Sequence, residues 1–227
     1  MHFDNHEIAL LDNFLIDVEK SSLSGLSTME DLWMIADAES KMLIEEILQL
    51  NPLDFEFKGK KIKEESIPDD VVAIDNSKYA QDGEYALFKK SYLPRPVYAA
   101  FSKMGEEFTK SYPSRVLLVG SGYRSPASQV VTLVYILAKI YNFDINKTLK
   151  RVALPQYSTH SSVSETAIDV MNVDGEPKDE DSLAFKDSVE YEWLKDHANN
   201  FDFYESYPPN NPDGIMWEPW HWQYKSN

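Results

Sequence analysis

Three short pieces carry most of the reactive side chains of this sequence, and they lie far apart along it. They are Ser-Gly-Tyr-Arg from Ser121 to Arg124, Ser-Thr-His from Ser158 to His160 leading into Ala-Ile-Asp-Val from Ala167 to Val170, and Glu-Pro-Trp-His from Glu218 to His221. A fold that uses their chemistry has to bring all three together. Between them they supply two histidines, an aspartate, a glutamate and an arginine. Two neutral imidazoles and one carboxylate make a three-ligand set that suits Zn²⁺ and leaves a fourth position for water, as a hydrolytic zinc site requires. There is no cysteine, so zinc could be held only by histidine and carboxylate, and no disulfide framework exists.

A chain of 227 residues with 43% apolar content can bury a sizeable core. Its formal charge of −16 opposes binding to nucleic acid or anionic lipid, which needs clustered cations. The one basic run, Lys58 to Lys63, reads as a solvated turn. No apolar run approaches the roughly 18 residues of a membrane span, and the N-terminus lacks the cationic region of a signal peptide. The chain as given therefore reads as soluble, with no export signal and no membrane span.

Residues 3 to 19 place Phe3, Leu11, Phe14, Leu15 and Val18 at helical spacing. A second helix is predicted from a capping box at Ser27 to Glu30, carrying Leu32, Ile35, Leu43, Ile47 and Leu50. Asn51-Pro52 ends it, and residues 54 to 75 read as a connector with a short hairpin. The division is therefore 1–75, a helical extension and connector, and 76–227, which holds every chemistry-bearing piece. His2 and His6 sit at the chain end and receive no role.

Beyond the connector, Val97 to Lys110 reads as a helix and Val116 to Val119 as a buried strand that delivers the glycines and Arg124. Ser125-Pro126 then caps a helix running to about Tyr141. Ile145 to Ala153 is a short helix, His160 lies in a polar loop, and the alternation of Thr166 to Val170 puts Asp169 on a strand. Glu190 to Asn200 is a helix whose C-terminal end favours His197 as a structural residue. Phe201 to Tyr207 and Trp220 to Tyr224 are strands, with Pro219 setting Glu218 at the end of the preceding turn. Taken singly, each histidine or acid is better explained as structure: Arg124 as a salt bridge, Asp169 as the partner of an arginine or amide.

Their joint occurrence shifts that balance. Ser-Gly-Tyr-Arg-Ser with Gln129, Ser-x-His before Ala-Ile-Asp-Val, the run from Trp193 to Pro208, and Glu-Pro-Trp-His-Trp-Gln-Tyr follow one another in the order seen in the zinc-dependent D-alanyl-D-alanine carboxypeptidases of the VanY type. The sequence resembles that family, related to the VanX-type D,D-dipeptidases and the Hedgehog signalling domain, over about residues 90 to 224. The resemblance implies an α+β fold, an antiparallel sheet flanked by helices and carrying one zinc per chain, with an N-terminal helical extension. It implies His160, Asp169 and His221 as zinc ligands, Glu218 as catalytic base, and Arg124, Gln129 and Ser158 as substrate-binding residues. The implied reaction is hydrolysis before a C-terminal D-amino acid, on a peptidoglycan stem peptide or another D-Ala-D-Ala-terminated peptide, a substrate class of the cell envelope. One departure is that His160 and Asp169 lie nine residues apart rather than seven, with Glu165 where the family has glycine, which reads as a two-residue loop insertion. Alternatives are a D,D-dipeptidase, a peptidoglycan endopeptidase, or a non-catalytic zinc-binding module, against which the presence of both Glu218 and Arg124 argues.

Overall fold

The computed structural model describes residues 1–62, 67–75, 88, 90–177 and 182–225. Helix α1 (Asn5–Lys20) starts at Asp4, which accepts from the amides of His6 and Glu7 while Glu7 caps Asp4 in return. The second helix expected from the pattern is two, α2 (Met29–Ile35) and α3 (Ala38–Leu48). Asp37 breaks the run because its carboxylate accepts from the amides of Glu39 and Ser40 and begins a new helix. The capping box at α2 pairs Thr28 with Asp31, one residue later than the predicted Ser27 and Glu30.

No hairpin forms within the described residues of 54–75. Strand β1 (Val71–Ile74) instead pairs with β2 (Ser91–Pro94), across a gap no local turn signal could reveal. The basic run is also not a free turn: the amide of Lys58 donates to Asp213 O at 2.7 Å and that of Ile62 to Gln156 O at 2.8 Å. Residues 58 to 62 thus strap two distant loops together; Lys63 lies outside the described residues.

Helix α4 (Arg95–Ser111) buries Val97, Phe101, Met104 and Phe108 on one stripe. A four-stranded antiparallel sheet follows, in the order β3 (Leu118–Ser121), β4 (Ala167–Met171), β6 (His221–Tyr224), β5 (Phe203–Glu205). Val119, Ile168, Val170, Phe203, Trp222 and Tyr224 share one core with α4 and with Trp193 and Leu194 of helix α7 (Val189–His197). Alternation along a strand therefore turns Asp169 and His221 to the opposite face. Strand β4 is buried along its whole length, not half-buried as its alternation suggested, because both faces of this sheet are covered.

On the second face, helix α5 (Pro126–Tyr135), which runs on through a π turn at Ile136–Ile140, lines a cleft together with Asp169 and His221. Every residue from Ala127 to Val134 is buried. A helix buried all round needs cover on all sides, and α1, α2 and α3 supply it: Leu11, Phe14, Leu15, Leu32, Ile44 and Ile47 share one core with Val130, Val131, Leu133 and Leu137. Helix α6 (Ile145–Arg151) completes that layer. Among the described residues, no helix is long and apolar enough to cross a membrane.

Candidate metal centre

Sheet register assembles the site. Asp169 pairs with His221 across β4 and β6, and with Ser121 across β3 and β4 after a bulge between Val119 and Ser121. Three strands thus place the first motif's serine, the aspartate and the last histidine abreast. Gly122 follows, where a Cβ would lie 2.4 Å from Tyr92 O; only glycine lets the chain pass there.

The His160 loop is pinned to that turn twice. Arg124 N donates to His160 O at 3.1 Å, and His160 Nδ1 lies 2.8 Å from Gly122 O. A carbonyl can only accept, so Nδ1 carries the proton and Nε2 the lone pair. That Nε2 faces Asp169 Oδ2 at 3.3 Å, and His221 Nδ1 faces Asp169 Oδ1 at 3.0 Å. The imidazoles stand edge to face, 4.7 Å apart at 86°, and Thr159 Oγ1 lies 3.0 Å from His221 Nε2. All three residues are buried, and one ligand atom from each lies within 4.8 Å of the others. Among the described residues this is the one group of acids and histidines placed to share a metal.

The electrostatics suit a cation. Burial, with Arg124 next in effect, pushes the His160 imidazole down to about 4, so it is neutral at physiological pH. Burial alone would raise Asp169, but His160 and then His221 hold it well below the usual carboxylate range. A lone pair on His160 Nε2 facing an ionised carboxylate oxygen calls for a positive charge between them. The donor set therefore fits zinc.

Arg124 is buried beside the group, donating from Nε to Ser121 Oγ at 3.0 Å, from Nη1 to Gln129 Oε1 at 3.3 Å, and from Nη2 to Asp169 Oδ2 at 3.2 Å. Gln129 in turn donates to Ala153 O at 2.8 Å. Ser158 is buried and lines the same cleft. Glu218 enters from the turn before β6, its Oε2 3.6 Å from His221 Nδ1. Glu165 in the longer loop is exposed, its main chain tied to Ser162 and Gln223. Glu165→Gln should therefore leave the metal content unchanged, as elemental analysis will show; loss of metal would transfer the ligand role from Asp169.

Three residues escaped the sequence reading. Thr159 touches His221, and Arg151 lines the cleft. The buried Tyr207 ring lies 4.9 Å from that of His221, and burial followed by the Glu218 charge raises its hydroxyl's pKa. Phe57 backs Tyr207 and Ile215 from the N-terminal strap. Only the Ser-Tyr-Pro run before the proline-rich turn hinted at Tyr207. His197, by contrast, stacks on Trp193 at 4.6 Å and bonds Trp193 O, away from the centre.

A family model described as "VanY: D-alanyl-D-alanine carboxypeptidase" matches residues 90–227. Among solved structures, the chain is similar to the LdcB LD-carboxypeptidase, with 24% identity, a TM-score of 0.52, and coverage of 69% of this chain and 68% of that one. That likeness supports the shared fold. VanYB in complex with D-alanine-D-alanine is 20% identical at a TM-score of 0.49, covering 72% and 83%. A VanY D,D-pentapeptidase mutant in complex with Zn(II) is 20% identical at 0.48, covering 72% and 85%. No curated protein matches the sequence.

Proposed function

Because the model matching residues 90–227 spans more than half of it, the chain belongs to the VanY family of D-alanyl-D-alanine carboxypeptidases, and we propose that it is a zinc peptidase releasing a C-terminal D-amino acid from peptidoglycan stem peptides. The observation that carries this reading is the buried group of His160, Asp169 and His221 with Glu218 beside it, in one cleft with Arg124. One zinc per chain would be held by His160 Nε2, His221 Nδ1 and Asp169. When bound there, zinc supplies Lewis-acid polarisation of the scissile carbonyl and eases ionisation of water.

The remaining steps belong to side chains. Glu218 takes a proton from the attacking water and returns it to the leaving amine. Gly122 and Thr159 fix the orientation of the two imidazoles, and Ser121 and Gln129 fix the guanidinium of Arg124. Arg124 and Ser158 face the substrate's terminal carboxylate. The catalytic role rests with residues 76–227, on whose helix α5 the helices α1, α2 and α3 pack.

The test is hydrolysis by the zinc-loaded protein of a D-Ala-D-Ala-terminated pentapeptide, its C-terminal amide, and the free dipeptide. Release of D-alanine from the pentapeptide alone supports the carboxypeptidase. Cleavage of the dipeptide alone would make it a dipeptidase, and equal cleavage of the amide an endopeptidase. Arg124→Met should lower kcat/KM for the free acid by on the order of a hundredfold, as expected for losing charge-assisted bonds, with little further effect on the amide. Arg124→Lys should not restore it, because an ammonium lacks the planar fork.

A further inference from the structure

Helix α5 presents Gln129, Thr132 and Ile136 to the cleft, a stripe at helical spacing that shares the cavity with the metal-centre residues. Gln129 is committed, its oxygen to Arg124 and its amide to Ala153 O. Ile136 is apolar. Thr132 is 1% exposed, and its Oγ1 has no hydrogen-bond partner. Two other buried hydroxyls among the described residues share that condition, Ser161 and Ser206, but neither lines this cleft.

A buried hydroxyl without a partner is a cost that native structures rarely keep. Threonine within a helix commonly bonds a carbonyl one turn back. Thr148 does so with Asp144 O; Thr132 does not. Valine has the same shape and would fill the position without the penalty. The hydroxyl therefore belongs with something that enters the cleft. The polar lining of the same cleft includes Arg124, Arg151 and Ser158, donors suited to oxygen acceptors.

We propose that Thr132 is a substrate-binding residue whose hydroxyl donates to a carboxylate or carbonyl oxygen of the C-terminal residue of the peptide. The assignment rests on the peptidase reading above. It makes the α5 face a specificity wall, with Gln129 holding Arg124 in place while Thr132 touches substrate and Ile136 offers an apolar surface to a small side chain.

Thr132→Val in the full-length zinc-loaded protein separates the alternatives, with Thr132→Ser as the variant that keeps the hydroxyl. The expected result is a fall in kcat/KM of about tenfold, carried mainly by KM, as for one lost hydrogen bond to a charged acceptor. D-Ala-D-Ala binding followed by calorimetry should weaken in parallel, zinc content should not change, and the melting temperature should stay level or rise. Thr132→Ser should behave like the parent. Unchanged KM and binding in Thr132→Val would overturn the proposal and leave the hydroxyl to water. A lowered melting temperature with unchanged KM would also overturn it, by showing a partner within the fold. If the parent protein neither binds nor cleaves any of the peptides, the peptidase reading itself fails and this assignment falls with it.

Discussion

Replacing His160, Asp169 or His221 by alanine will strip the metal from the protein and abolish hydrolysis. Each offers one of three potential ligand atoms gathered within 4.8 Å, and the nearest rival acid of the longer loop, Glu165, faces solvent. Loss of a residue that only orients a ligand costs on the order of ten- to a hundredfold in metal affinity, and loss of the ligand itself costs more. Asp169→Ala should be the most damaging, because it also removes the acceptor for Arg124 Nη2 and leaves a buried guanidinium short of one bond. Elemental analysis after dialysis, with chelator competition to rank affinities, measures this directly. Metal content equal to the parent's in all three variants would refute the ligand assignment.

That these three residues belong together was legible only through the joint occurrence of the motifs and the resemblance it carries, since each motif taken singly reads as structure. Gly122 lets β3 turn sharply past Tyr92 and present Arg124, and Pro219 ends the turn that carries Glu218 before β6 begins. Pairing of Asp169 with His221 was not legible, since strand register is set across 52 residues by which faces can be buried, and no short pattern encodes that. The alternation around Asp169 correctly gave a strand but not its burial. The cleft on the second face is lined by α5, and covering α5 depends on helices a hundred residues earlier in the chain.

The N-terminal segment shows the same limit from the other side. Composition marks residues 1–50 as amphipathic helices and nothing more, since an apolar stripe does not name its partner. Their partner is the helix that holds Gln129 and Thr132. Ser125, at the start of α5, gives its hydroxyl to Ser27 O at 2.6 Å and its amide to Gly25 O at 2.9 Å, so the loop between α1 and α2 also grips the residue next to Arg124. Further on, Glu56 O lies 2.1 Å from where a Gly214 Cβ would stand, and Gly214 adopts φ +79°. The turn beside Ile215 thus takes a glycine-only conformation against the strap.

The other large effect belongs to Glu218. It is buried, and its oxygen lies 3.6 Å from His221 Nδ1, beyond hydrogen-bond range of that nitrogen yet close enough to reach a water bound in the cleft. Its main chain holds the turn: Glu218 N donates to Tyr207 O and Glu218 O accepts from His221 N, each at 3.0 Å. Glu218→Gln keeps those main-chain bonds and the side chain's size while removing the basic oxygen. Zinc content and the circular dichroism spectrum should therefore match the parent, while kcat falls by roughly the hundredfold to ten-thousandfold that a general base contributes. Peptide affinity should persist, so calorimetry on this variant reads binding without turnover. Retained activity would show that another group takes the proton, and loss of zinc would make Glu218 a fourth ligand rather than the base.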